Sequence, residues 1–196
     1  MRVISGKAKG RKLRSVPGST TRPITDRVKE NLFNLIQWDV PGSRFLDLFA
    51  GTGSVGIEAL SRGARQAVFL DTQRAAISVI NANLDHCKLG DSARVIRTDA
   101  FVYLSNDPDD PFDLVYIAPP QYQELWSKVL QLFDQRPAWI ADEGLAIVQI
   151  HPKEHRELPL VNLEVIDQRT YGSTMLVFYG HVEEELPAGE LDTDPG

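Results

Sequence analysis

Apolar and polar positions along this chain switch repeatedly between the two-residue period of strands and the wider spacing of helices. Five short apolar runs have strand character: Phe45–Phe49, Ala67–Leu70, Ala93–Ile96, Leu114–Ile117 and Leu145–Ile150. Between them lie amphipathic stretches, Val55–Leu60, Ala75–Leu84, Ala100–Leu104 and Leu125–Phe133. Two further runs, Leu163–Ile166 and Thr174–Tyr179, close the series. Strand and helix in alternation predict an α/β fold with a doubly wound, mostly parallel, seven-stranded Rossmann-like sheet covered by helices on both faces. The link Asp167–Ser173 between the last two runs is too short for a parallel crossover, so the last strand is predicted to be antiparallel.

Ahead of this series, Val3–Gly6 and Arg11–Val16 read as two short strands joined by Lys7-Ala8-Lys9-Gly10, a basic β-hairpin. Pro17 to Pro23 connects it to a helix that Thr25 or Asp26 can cap, with Val28, Leu32, Leu35 and Ile36 at helical spacing. That helix should stop before Pro41-Gly42. The chain of 196 residues can bury one sizeable core. The expected organisation is a basic N-terminal hairpin arm over residues 1–22, one α/β domain over 23–180 and a tail over 181–196. The tail holds six acids, two prolines and no Lys or Arg, a composition expected to be disordered.

Charge changes this picture. The net value of −6 argues against a nucleic-acid partner until its distribution is considered: residues 1–31 hold nine Lys/Arg and two acids, or +7, which leaves −13 for the remainder. A basic leader on an acidic body suits contact with phosphates, and Lys7, Lys9, Arg11, Lys12, Arg14, Arg22 and Arg27 are the candidate RNA-binding residues. The alternative is an arm that docks on its own acidic body. No apolar run approaches the roughly 18 residues needed to span a membrane, and the N-terminus has no signal-like stretch, so a cytoplasmic protein with no membrane partner is expected. Cys87 is the only cysteine, which leaves no internal disulfide and no thiol pair for zinc. His151 and His155 have a metal-like spacing, but Pro152 disfavours a regular helix there and no third ligand is evident; no metal site is expected.

The candidate chemistry lies at strand ends. Asp47-Leu48-Phe49-Ala50-Gly51-Thr52-Gly53-Ser54-Val55-Gly56 sets a glycine-rich turn between the first core strand and its helix, where backbone can approach a ligand closely. Gly51, Gly53 and Gly56, with Asp71 following 18 residues after Gly53, also satisfy a dinucleotide fingerprint, so an NAD(P)-dependent oxidoreductase is the rival reading. Asp47 discriminates. A carboxylate there would face a pyrophosphate unfavourably, whereas the methionine end of S-adenosylmethionine offers an ammonium. Asp71 ends the second strand, where an acid can accept from ribose hydroxyls. Asp99 ends the third, where it can accept from an adenine amino group with Ala100 or Phe101 beside the ring. Three acids at three successive strand ends form a stronger signal than any one of them, because doubly wound sheets bind ligands there. The candidate cofactor residues are therefore Asp47, Phe49, Gly51, Thr52, Gly53, Asp71, Asp99 and Ala100. Trp126 could stack on a base, but its spacing with Leu130 and Phe133 favours packing of a helix onto the sheet.

The fourth strand runs into Ala118-Pro119-Pro120-Gln121-Tyr122, a loop stiffened by two prolines. Taken with the segments around it, this loop makes the chain from Arg2 to about Gly180 resemble the bacterial 16S ribosomal RNA guanine-N2 methyltransferases, the RsmD type. The matching segments are Ser5-Gly6-Lys7 with Gly10 to Leu13, Arg22 to Asn34, Leu46 to Gly53, Glu58 to Ala64 and Phe112 to Val115. The resemblance implies a class I methyltransferase sheet, S-adenosylmethionine as cofactor, ribosomal RNA or an assembling small subunit as partner, and a monomer. It also implies a catalytic loop over Ala118, Pro119, Pro120, Gln121 and Tyr122. The family reads Asp-Pro-Pro followed by Phe or Tyr, so this chain departs from it at Ala118 and Gln121. An acid there would accept from the target amine and aim its lone pair at the methyl carbon, while the aromatic would stack on the base. Ala118 can do neither; the Pro119 carbonyl, Gln121 and Tyr122 remain as substitutes. Three outcomes stay open: an active enzyme with reorganised acceptors, an enzyme of weak or altered specificity, and an RNA-binding assembly factor that transfers no methyl group.

Overall fold

The computed structural model describes residues 1–17 and 24–182. Helix α1 (Asp26–Leu35) is capped by the Thr25 hydroxyl, which accepts from the Val28 N–H. There follow β1 (Arg44–Asp47), α2 (Ser54–Ser61), β2 (Gln66–Asp71), α3 (Arg74–Cys87), β3 (Ala93–Arg97), α4 (Ala100–Leu104), β4 (Phe112–Ile117), α5 (Leu125–Gln135), β5 (Ile140–Ile150), β6 (Leu163–Tyr171) and β7 (Thr174–His181). The seven strands form one sheet in the order β3-β2-β1-β4-β5-β7-β6. β1 pairs in parallel with both β2 and β4, and only β7, between β5 and β6, runs against its neighbours. The expected doubly wound sheet with an antiparallel last strand is thus present.

The two-residue period sorts side chains between the sheet's faces. Phe45, Phe69, Leu114, Tyr116, Ile147 and Phe178 pack under α1, α2 and α3, while Leu46, Leu70, Val115, Ile117, Val148 and Val177 pack under α4 and α5. Trp126 is buried in the second layer with Leu130 and Phe133, as its spacing indicates. Chain order reverses between β1 and β4, and the carboxyl ends of these two strands open a crevice there.

Several local expectations are corrected. On α1, Phe33 is buried and Leu35 is exposed, because the helix turns its Val28–Leu32–Ile36 stripe and the adjoining Phe33 toward the core. β5 starts at Ile140, well before the apolar run, because Ile140 pairs with Phe112 and a register shift follows. β6 extends to Tyr171, so the turn to β7 is only Gly172-Ser173; as an edge strand β6 is largely exposed, which hides it from an apolar pattern. His181 belongs to β7 rather than to a tail, and residues 183–196 lie outside the described residues, as does Arg22.

The two N-terminal segments pair antiparallel as expected of a hairpin: Arg2 bridges to Lys12, and the N–H groups of Val3, Gly10 and Leu13 donate to the carbonyls of Arg11 (3.0 Å), Val3 (2.9 Å) and Met1 (3.2 Å). Its connecting loop is tied to α2: the Lys7 N–H donates to the Ser61 carbonyl (2.8 Å) and the Ala8 N–H to the Ser61 hydroxyl (2.9 Å). The Glu58 carboxylate accepts from the N–H groups of Ile4 (2.8 Å) and Ser5 (2.9 Å). Gly6 must be glycine, since a Cβ there would meet the Ser61 carbonyl oxygen at 1.8 Å. Val3, Ala8 and Leu13 are buried in the core. Glu58 is itself fully buried and holds the equally buried Lys29 at 3.3 Å and Arg62 at 2.8 Å. Burial lowers the Lys29 pKa, and the neighbouring carboxylate opposes that shift. Lys29 is therefore a structural charge, although it counts toward the basic leader.

Candidate active site

At the β1–β4 crevice, Leu48 donates its N–H to the Tyr116 carbonyl (3.1 Å) and Ala50 donates to the Leu70 carbonyl (2.9 Å), so the chain after β1 curls across both neighbouring strands. Gly51 and Gly53 then take left-handed backbone, with φ +54° and +74°. The Gly51 N–H donates to one carboxylate oxygen of Asp71 (2.9 Å) and the Gln73 N–H to the other (2.8 Å). Asp71 thereby clamps the glycine turn against the start of α3. Asp99 caps α4 by accepting from Phe101 and Val102 through a single oxygen, Oδ1, which leaves Oδ2 for other partners.

Three hollows open along this crevice. The first, of about 260 Å³, is bounded by Asp47, Phe49, Gly51 and Thr52, with Ser15 and Val16 of the N-terminal segment as its cover. The second, of about 280 Å³, lies between Asp71, Asp99, Ala100 and Phe49. The third, of about 530 Å³, is walled by Pro119, Pro120, Gln121 and Gln149, with Thr25 and Val28 opposite. Ala118 lines all three.

Asp47 is the unusual group. It is buried, and its Oδ1 has no hydrogen-bond partner. Burial pushes its carboxyl up to about 7; the Gly56 and Phe49 N–H groups offset part of this and the Asp71 charge adds to it. An orphaned buried carboxylate oxygen facing a hollow calls for a cationic donor, and the ammonium of S-adenosylmethionine supplies one where a pyrophosphate would supply repulsion. The residues present thus fit the methyl donor.

The chain matches the family model described as "Conserved hypothetical protein 95" over residues 1–180. It is 36% identical over 196 residues to the ribosomal RNA small subunit methyltransferase D of Escherichia coli K12, covering 99% of this chain and 94% of that relative. A candidate ribosomal RNA methyltransferase of Bacillus subtilis strain 168, YlbH, is 39% identical over 183 residues, covering 91% of this chain and 98% of that protein. Among solved structures, a candidate methyltransferase of Escherichia coli, YhhF, superposes with a TM-score of 0.83 at 32% identity over 92% of this chain and 97% of that one. The chain belongs to the RsmD-type methyltransferase family.

Within the RsmD-type frame, most of the expected cofactor residues converge. Asp47, Phe49, Gly51 and Thr52 meet in the first hollow, and Asp71, Asp99 and Ala100 in the second. Gly53 lines neither; it starts α2 and packs against Ile80. In the loop expected to be catalytic, Ala118 to Gln121 border the third hollow, whereas Tyr122 is 66% exposed, with φ +60°, its ring 6.1 Å from His151 and its N–H on Glu154 (2.7 Å). Tyr122 is therefore not part of the wall of the hollow where stacking was expected. Lys7, Lys9, Lys12, Arg14 and Arg27 are exposed, and Arg11 donates to the His86 carbonyl. No group of His, Cys, Asp or Glu among the described residues could hold a metal ion, and no helix among them is long and apolar enough to cross a membrane.

Two residues escaped the sequence reading. Asn83 is buried, donates to the carbonyls of Thr52 (3.0 Å) and Arg14 (3.2 Å) and accepts from the Arg14 N–H (2.8 Å), tying the N-terminal segment to the glycine turn. Gln149 lines both the first and third hollows and accepts from the Tyr116 hydroxyl at 2.5 Å. It is a polar residue one step from the end of an apolar strand, the same signal that singled out Asp47, Asp71 and Asp99.

Proposed function

We propose that this chain transfers a methyl group from S-adenosylmethionine to the exocyclic N2 amine of a guanine in small-subunit, 16S-type ribosomal RNA. The observation that carries the reading is the meeting of three hollows at Ala118: two sized together for a small-molecule cofactor, roughly 300–1,000 Å³ for such sites, and a third for a flipped-out base. Bound there, S-adenosylmethionine supplies an electrophilic methyl on a sulfonium. Asp47 pairs with the cofactor's ammonium, Asp71 accepts from its ribose and Asp99 Oδ2 from its adenine amine. Pro119 and Pro120 stiffen the wall against which the base is held, and the Pro119 carbonyl accepts from the target amine. The exposed Lys7, Lys9, Lys12, Arg14 and Arg27 hold the flanking phosphates. The name of the Escherichia coli relative, a small-subunit methyltransferase, supports the choice of substrate.

Ala118 favours a second reading, an RNA-binding assembly factor that no longer transfers methyl groups. The test is transfer of labelled methyl to unmodified small-subunit RNA and to assembling subunits, with wild type and Ala118→Asp, followed by digestion and identification of the product nucleoside. Wild-type formation of N2-methylguanosine supports the enzyme. A wild type that binds the cofactor yet gives no product, beside an active Ala118→Asp, establishes the second reading instead.

A further inference from the structure

The loop at Ala118 lacks the acid that would orient the target amine, yet a hydrogen-bonded polar pair borders the same hollows as Ala118. Tyr116, at the carboxyl end of β4 two residues before Ala118, donates its hydroxyl to the Gln149 carboxamide oxygen across the β4–β5 pair. Gln149 is half-buried and borders both the cofactor hollow and the base hollow, as Ala118 does. Resting on the transferase reading above, we infer that Gln149, held in orientation by Tyr116, accepts an N–H of the target amine in place of the acid missing at position 118. Gln149 is then a catalytic residue and Tyr116 a positioning residue.

The chemistry suits a carboxamide. Its oxygen has a second lone pair after accepting from Tyr116, and its NH₂ can donate to a ring nitrogen next to the amine, as N3 is next to N2 in guanine. Burial, with Asp47 nearby, raises the Tyr116 hydroxyl pKa well above its ordinary value, so the phenol keeps the proton it donates. In the transfer, the amine lone pair forms the new N–C bond while the C–S bond breaks and its electron pair stays on sulfur, which becomes a neutral thioether. The positive charge gained by nitrogen is discharged by loss of one N–H proton. A carboxamide does not take that proton at neutral pH, so it leaves to water through the mouth of the third hollow.

The test measures S-adenosylmethionine affinity by calorimetry and methyl transfer to unmodified small-subunit RNA for wild type, Gln149→Ala, Gln149→Glu, Tyr116→Phe and Gln149→Ala/Ala118→Asp. Gln149→Ala should bind the cofactor within about threefold of wild type and lose about 100-fold in kcat, the scale for removing one oriented polar contact. Tyr116→Phe should lose about tenfold, and Ala118→Asp should restore most of the loss in the Gln149→Ala background. Gln149→Glu, nearly isosteric, should remain active and acquire an acid limb in its kcat–pH profile that wild type lacks, a change that a purely structural role would not produce. A Gln149→Ala kcat within about threefold of wild type overturns the inference and leaves the transferase reading standing. If Gln149→Ala does not fold, the Gln149→Glu profile decides, and one parallel to wild type overturns the inference. Absence of transfer by wild type overturns both.

Discussion

Replacing Asp47 with Asn should make the cofactor-free protein more stable and the cofactor weaker. Burial raises the Asp47 carboxyl from 3.8 to about 7 in the folded protein. Between those values the folded chain retains a proton that the unfolded chain has already released, so stability is greatest below the lower one and falls as pH rises through the upper one. The whole interval corresponds to about 4 kcal/mol as an upper bound. About 2 to 3 kcal/mol of it falls between about pH 5 and pH 8.5. Asn at position 47 does not ionise and escapes this loss. Urea denaturation without cofactor should therefore show Asp47→Asn gaining on wild type by that amount across the same range. Calorimetry at about pH 8 should show its S-adenosylmethionine affinity reduced by about 10- to 100-fold, the scale of a hydrogen bond between charged partners. Denaturation curves that stay parallel from about pH 5 to pH 8.5 would refute the claim that the site stores this electrostatic cost. Unchanged cofactor affinity would refute the claim that the ammonium relieves it.

Three further outcomes follow from the packing of the N-terminal segment. Glu58→Ala leaves the Lys29 ammonium buried without its partner and strips acceptors from the Ile4 and Ser5 N–H groups, so denaturation should show a loss of about 3 to 5 kcal/mol. Gly6→Ala drives a methyl group into the Ser61 carbonyl on left-handed backbone and should cost about 2 kcal/mol or more, read as a lowered urea midpoint with an unchanged slope. Lys7→Ala/Lys9→Ala/Lys12→Ala removes three exposed charges; RNA affinity measured across a salt series should fall, with a slope flatter by about 2 to 3, while cofactor affinity stays constant.

The docking of residues 1–17 also revises the opposition between an RNA-facing arm and an arm folded on its own body. The two are compatible, because different groups are involved. Backbone N–H groups and the apolar Val3, Ala8 and Leu13 attach the segment to α2, while the Lys7, Lys9 and Lys12 ammonium groups stay in solvent. Attachment further brings Ser15 and Val16 over the hollow at Asp47, with Asn83 joining the segment to the glycine turn. A segment that looks detachable from its charge alone is part of the wall of the site.

The sequence by itself determined what depends on near neighbours. The two-residue period assigned Phe45 and Leu46 to opposite faces, Gly51 and Gly53 marked a turn between the first core strand and its helix, and Asp47, Asp71 and Asp99 marked strand ends. Local rules suffice there because backbone sterics and side-chain direction act within a few residues. Tertiary structure alone decided which distant residues meet. Gln149 reaches Tyr116 across 33 positions and Glu58 reaches Ile4 across 54, and nothing in the local pattern around either carries its partner's address. Crossover connections set the strand order β3-β2-β1-β4-β5-β7-β6, and that order brings the ends of β1, β4 and β5 together around Ala118. The missing acid at position 118 was legible in the sequence; the carboxamide beside it became visible only once β5 was packed against β4.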